Sequence, residues 1–290
     1  MKGLSSKRVR LLITFGAILC AVALISVPIA VNVHSIYVWA ATEGLFLSPI
    51  DVQKTTVENT ARYTLDELES DPRVTLDQSM MLVNKQTLLP EGFEPDVVEY
   101  KDTGVYMSAC MPEAYAALSG AVSEKTGNKL YVSSDFRSAE EQEALYIDDP
   151  TTATLPGASE HQTGLALDVY VAYYAGDAFI KSESGRFVNS ECWKYGFIIR
   201  YPSYAEDITG IRYEPWHIRY VGHPHADVIY NNHITLEQYV TSLEIGEWYM
   251  IDGYLVSRQS YNGSVELPRD FESCVISPDN MGNYVVTVKP

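Results

Sequence analysis

The sequence predicts an exported α+β domain held to a membrane by one N-terminal helix. Three observations carry this. An uncharged run, Leu11–Val31, follows a basic cluster. Helical and alternating apolar patterns interleave between Pro112 and Leu243. From Gly246 onward, short aromatic and β-branched runs are broken by Gly and Asn turns.

The N-terminal run is 21 residues long and carries no charge. As a helix rising about 1.5 Å per residue it spans roughly 30 Å, the hydrocarbon thickness of a bilayer. Lys2, Lys7, Arg8 and Arg10 precede it without an acidic neighbour, so the positive-inside rule keeps residues 1–10 in the cytoplasm and places the rest outside. The competing reading is a cleaved signal peptide with Trp39-Ala40-Ala41 as its cleavage site. Its apolar core would be shorter, about 7–15 residues, and the uncleaved single-pass anchor is preferred. Leu19 before Cys20 is too bulky for a lipoprotein signal.

The 290 residues carry 21 basic and 38 acidic side chains, a net −17. With the four N-terminal basic residues set aside, the exported part stands at −21. Such a surface repels phosphate backbones, and no nucleic-acid partner is expected. Cys110, Cys192 and Cys274 lie outside the anchor in no CxxC spacing and read as small buried hydrophobes.

Residues 32–75 read as a tether, polar, acidic and Thr-rich from residue 42 on, with a short helix around Thr64–Ser70. A folded domain is expected over 76–245. Ala114, Ala117, Leu118, Ala121 and Val122 set a helix over Pro112–Thr126, closed by Gly127-Asn128. Leu130–Val132 is a strand, Ala139–Tyr146 a helix, and the alternation from Gly164 to Val171 a strand. Arg186–Tyr195 is a helix stopped by Gly196; Phe197–Arg200 and His217–Val221 are strands; Leu236–Leu243 is a helix. Turn signals at Asp252-Gly253, Asn262-Gly263 and Pro278–Asn280 make residues 246–290 a small β appendage.

Two segments bear chemistry: Ser159–Asp168 and Glu214–His217. His161, Asp168 and His217 are N, O and N donors that suit zinc, and three protein ligands leave the fourth position to water. Glu214, three residues before a ligand, is close enough to take that water's proton. Each piece alone is common: Glu-x-x-His is usually a solvated pair, and Trp-His neighbours are usually core. Arg137 offers a guanidinium to a peptide carboxylate, and Gln142 on the following helix has donors to spare as a second substrate-binding residue; for Arg137 a surface ion pair with Asp135 fits the spacing equally well. His223-Pro224-His225 reads as a surface turn opening the next helix, and His34 and His233 are given no role.

The chain resembles the VanY-type D-alanyl-D-alanine carboxypeptidases, a zinc peptidase family. The family's Ser-x-His-x-x-Gly-x-Ala-x-Asp and Glu-x-Trp-His motifs fall on Ser159–Asp168 and Glu214–His217 in order. Its Tyr-Gly-Phe-Ile-x-Arg-Tyr-Pro segment falls on Tyr195–Pro202 and its Arg-Tyr-Val-Gly on 219–222. The resemblance runs from about Leu82 to Leu243. It implies His161, Asp168 and His217 as ligands of one zinc, Glu214 as general base, and Arg137 as the residue that binds substrate and polarises the attacked carbonyl. Ser159 is implied in hydrogen bonding to substrate. The implied fold is a small, mainly antiparallel sheet flanked by helices with the zinc in a cleft. One departure stands out: Ser134-Asp135-Phe136-Arg137-Ser138 lacks the Gly and Tyr that the family often places before this Arg.

The function so implied is hydrolysis of the C-terminal residue of peptidoglycan stem peptides on the outer side of the membrane. An L,D-carboxypeptidase, a D,D-dipeptidase or a wall endopeptidase would share the metal site. A non-catalytic zinc-binding wall sensor is the rival of another class, and the intact Glu214 argues against it.

Overall fold

The computed structural model describes residues 47–290, Thr152 excepted. The expected anchor at Leu11–Val31 and its basic flank lie outside the described residues. Among the described residues no helix is long and apolar enough to cross a membrane.

Three short strands come first: β1 (Gln53–Thr55), β2 (Thr60–Thr64) and β3 (Val74–Leu76). Between β2 and β3 lies the helix Leu65–Glu69, with Thr64 and Glu67 forming a capping box, close to the short helix expected there. A hairpin of β4 (Val97–Glu99) and β5 (Tyr106–Ser108) follows. The helix Pro112–Thr126 is as the periodicity predicts, with Pro112 in its first turn and Gly127 left-handed at its end.

The centre of the molecule is an antiparallel sheet of β6 (Tyr131–Ser134), β7 (Ala166–Tyr170), β8 (Phe197–Ile199) and β9 (His217–Tyr220), in the order β6-β7-β9-β8. Its apolar face presents Leu167, Val169, Phe197 and Ile218, packed on the Pro112–Thr126 and Glu183–Glu191 helices through Leu118, Val122 and Val188. The other face carries the candidate chemistry, as strand alternation requires. Gly164 opens β7 at φ 70°; a Cβ there would sit 2.6 Å from Val97 Cγ1 and 2.9 Å from the Ser108 nitrogen. The β4–β5 hairpin can therefore close on the motif only over a glycine.

The helices His225–Asn231 and Leu236–Ser242 lead into β10 (Trp248–Ile251), β11 (Tyr254–Ser260), β12 (Ser264–Pro268), β13 (Ser273–Pro278) and β14 (Asn283–Lys289). The tail is β-rich as expected, but it is not a small appendage. Four of its strands form a six-stranded sheet in the order β1-β10-β11-β14-β13-β3, with β3 parallel to β13. One face, with Tyr249, Ile251, Val256 and Val285, packs on the helices through Val228, Ile229, Leu236 and Val240. The other, with Leu255, Ile276, Val286 and Val288, packs on Val265, Leu267 and Leu68.

The expected tether at 32–75 is corrected for the same reason. From Gln53 on it is folded: β1 pairs with β10, β2 with β12 and β3 with β13. Its few apolar side chains pack inward: Leu68 is buried in the core, and Val57, Tyr63, Leu65 and Val74 pack against the same cluster. His225, placed in a surface turn by the sequence, is buried; its Nδ1 bonds the Tyr239 hydroxyl at 2.8 Å and its Nε2 that of Thr287 at 2.9 Å. His223 faces outward and pairs with Asp227. Cys110, Cys192 and Cys274 are free thiols.

Candidate metal centre

Antiparallel pairing puts Asp168 on β7 opposite His217 on β9, and the turn before β7 carries His161. His217 Nδ1 lies 2.9 Å from Asp168 Oδ1, and His161 Nε2 lies 3.5 Å from Asp168 Oδ2. One ligand atom from each of the three residues lies within 4.8 Å of the others. Tetrahedral zinc with bonds of about 2.0–2.1 Å separates its ligand atoms by about 3.4 Å, so small side-chain shifts suffice to close the set.

Both histidines are oriented from behind. His161 Nδ1 donates to the Asp135 carbonyl at 2.8 Å, which leaves Nε2 as the lone-pair nitrogen. His217 turns its Nε2 toward the fully buried Glu160, 3.7 Å from Oε2, and presents Nδ1 to Asp168. Glu160 in turn binds Arg200 Nε at 2.7 Å and Arg219 at 2.6 Å, and Arg200 reaches Glu237. Burial alone would raise the Glu160 carboxyl, but the two guanidiniums hold it well below the usual carboxylate range. Sequence patterning gave no sign of Glu160, although Arg200 and Arg219 both lie in the recognised segments.

The electrostatics fit a cation. Burial would raise the Asp168 carboxyl; the two histidines override it and hold the group far below the ordinary range. Burial works against a charged His217, yet Asp168 and Glu160 push it up to about 9. The pocket thus favours positive charge among these ligands, and N, O, N donors with a carboxylate-backed histidine suit zinc.

Glu214 faces the same point, with Oε2 3.9 Å from His217 Nδ1. Burial, with Asp168 adding to it, raises this carboxyl above its ordinary value against the opposing pull of His217. Ser159 is buried at the head of the motif, and its hydroxyl does not cap the turn that follows.

Arg137 sits between the end of β6 and the Ala139–Asp148 helix, which Ser138 and Glu141 cap. Its backbone nitrogen donates to the His161 carbonyl at 3.1 Å, tying it to the metal site. Its fork donates to Gln142 Oε1 and Ser134 Oγ, each at 2.8 Å. The ion pair with Asp135 that the sequence left open is not formed; Asp135 accepts from the Tyr106 nitrogen instead. Gln142 lies behind the guanidinium and both ends of its amide bond the protein. It is 1% exposed, its oxygen holds Arg137, and its Nε2 donates to the Thr154 carbonyl at 2.6 Å.

A family model described as VanY, D-alanyl-D-alanine carboxypeptidase, matches residues 104–223. A D-alanyl-D-alanine carboxypeptidase of Enterococcus faecium is 31% identical over 261 residues, which is 81% of either chain. The solved structure of the vancomycin-resistance D,D-dipeptidase VanXYg, in complex with a D-Ala-D-Ala phosphinate analogue, superposes with a TM-score of 0.62 at 26% identity, over 80% of this chain and 98% of that one. The LD-carboxypeptidase LdcB superposes with a TM-score of 0.52 at 36% identity, over 56% of this chain and 86% of that one.

Proposed function

As the chain belongs to the VanY family of D-alanyl-D-alanine carboxypeptidases and is a hydrolase of that kind, we propose that it is a zinc-dependent D,D-carboxypeptidase removing the terminal D-alanine of peptidoglycan stem peptides. The observation that carries this reading is Arg137. Its half-buried guanidinium is held only by neutral groups beside the His161/Asp168/His217 cluster, so its charge is left for an anion. A free peptide carboxylate matches such a fork with paired, charge-assisted hydrogen bonds.

Zinc, when held by His161, Asp168 and His217, supplies a Lewis acid that polarises the attacked carbonyl. Glu214 takes the proton of the attacking water and returns it to the leaving amine. Arg137 fixes the C-terminal end, and the Ser159 hydroxyl donates to the peptide. Exposure to the wall follows from the expected anchor at Leu11–Val31, which places the folded part outside the membrane.

The test compares a peptide bearing a free carboxyl terminus with its C-terminal amide. The acid is cleaved and the amide largely ignored, and Arg137→Ala removes most of that preference. Equal cleavage of acid and amide would make the chain an endopeptidase. A second reading, L,D-carboxypeptidase, is favoured by the likeness to LdcB. Products from a pentapeptide ending in D-Ala-D-Ala and from the tetrapeptide lacking the last residue tell the two apart.

A further inference from the structure

A cleft of about 640 Å³ lies where β3 and β13 meet the turn that follows β5. None of its lining residues belongs to the metal cluster. Its walls are mostly apolar, with Leu76, Met81, Phe93 and Ile276 among them. Tyr261 and Tyr284 add two tilted rings with centroids 4.6 Å apart. Tyr261 is 62% and Leu76 41% exposed, so an apolar rim extends beyond the cleft itself.

The polar lining is one-sided. Asp77, Gln78, Asp96 and Asn280 carry carboxylate or amide oxygens, and no lysine, arginine or histidine lines the cleft. Gln78 Oε1 is buried and has no hydrogen-bond partner among the described residues. Asn280 uses its Nδ2 on the Leu82 and Leu88 carbonyls, at 3.0 and 3.1 Å, which leaves its oxygen to offer. Asp77 Oδ1 accepts from the Ser79 nitrogen and hydroxyl, and burial raises this carboxyl above its ordinary value against those bonds. Arg219 acts on Asp77 from the interior, but its guanidinium is engaged with Glu160 and with the Ser79 and Met81 carbonyls. The cleft thus offers acceptors and aromatic faces and has no cation of its own.

We propose that this cleft binds a lysine-type side chain of a peptide, a primary ammonium on an apolar stem. An ammonium has three donors and no acceptor, which matches a lining of oxygens. Carboxylates and ring faces both favour its charge. The methylene stem lies against the apolar walls while the head reaches the oxygens. A donor to Gln78 Oε1 satisfies a buried acceptor. The rim at Leu76 and Tyr261 gives the residues flanking the lysine a surface to cover, which a free diamine leaves bare. The proposal stands independently of the bond that the metal centre cuts.

The test titrates the full-length chain in detergent with acetyl-Ala-Lys-Ala-amide, whose blocked C-terminus offers Arg137 no carboxylate. The same peptide acetylated on the lysine amine is the uncharged control, and pentane-1,5-diamine is the free amine. The lysine peptide binds on the order of tenfold more tightly than either. Asp96→Asn, at an exposed position, and Gln78→Leu each narrow the gap to the acetylated peptide, with the urea unfolding midpoint kept at that of the wild type. Equal affinity for the free and acetylated lysine peptides, or no saturable binding of the lysine peptide up to about 10 mM, overturns the proposal. So does a gap that both variants leave untouched, which would place the amine elsewhere on the acidic surface. Diamine binding as tight as that of the peptide removes the peptide as occupant and overturns it too.

Discussion

Glu160 Oε2 and His217 Nε2 face each other at 3.7 Å, both buried, and neither has a hydrogen-bond partner in the described structure. A carboxylate behind a ligating imidazole keeps the proton on the far nitrogen and the lone pair toward the ion. Glu160→Gln should therefore weaken zinc affinity about 10–100-fold. Competition with a chelator of known affinity reads this directly. Because Arg200 and Arg219 lose a buried counter-charge, the same variant should also lose about 3 kcal/mol or more of stability. Unchanged zinc affinity would reduce Glu160 to a structural ion-pair partner.

Glu214→Gln should bind zinc normally and turn over on the order of 10²–10⁴-fold more slowly, since the amide cannot take a proton. Zinc content by elemental analysis and kcat on one peptide check the two halves. Near-normal turnover would assign the proton to another group.

The wild-type chain should hold about one zinc, as three protein ligands imply. Chelation should abolish cleavage and added zinc restore it. Full activity in demonstrably metal-free protein would contradict the site assignment.

Gln142→Ala leaves Arg137 with Ser134 as its remaining side-chain partner. The expected result is a raised KM for free-carboxyl peptides, smaller than that of Arg137→Ala, with kcat less affected. Arg137→Lys keeps the charge without the planar fork and should fall between wild type and Arg137→Ala. A Gln142→Ala enzyme with wild-type KM would show that Arg137 needs no such support.

Burial lowers the His225 pKa to about 3 from its ordinary 6.5, with His223 nearby adding to the effect. Above pH 6.5 neither folded nor unfolded chain holds the proton, and nothing is lost. As pH falls from 6.5 to 3 only the unfolded chain takes it up, so stability declines across that window. At about 1.4 kcal/mol per unit the loss amounts to a few kcal/mol. Urea unfolding of wild type and His225→Gln at several pH values isolates it: the wild type should lose more stability than the variant between pH 6.5 and 3. Parallel curves would show that His225 takes its proton in the fold.

The sequence made legible what is set locally. Pro112 and Gly127 bound their helix through dihedral preferences, and the Gly164–Val171 alternation places Asp168 on the face away from Leu167 and Val169. Linked motifs named His161, Asp168, His217, Glu214 and Arg137, which the fold brings to one region. The strands within residues 53–76 were not legible because β1, β2 and β3 are three to five residues long, mostly solvent-facing, and paired about 200 positions away. For Gln142 the sequence is silent on its bond to Arg137, because an amide one turn from an arginine serves a ligand or the arginine equally well. His225 reads as surface beside Pro224, and its partner Thr287 belongs to a strand whose docking no local pattern records.

The pairing of β1 with β10, β2 with β12 and β3 with β13 also sets where the chain can be cut. β1 and β3 are the outermost strands of the six-stranded sheet, so they cover the edges of β10 and β13. A shortened protein starting near residue 76, the expected start of the domain, would bare those two edges and that of β12 at once. Unpaired edges template strand addition between molecules. Such a fragment should self-associate in a concentration-dependent way on gel filtration, whereas one starting near Leu47 should stay dispersed. The residues that look most like packaging around the enzyme are thus the ones that keep separate copies from joining.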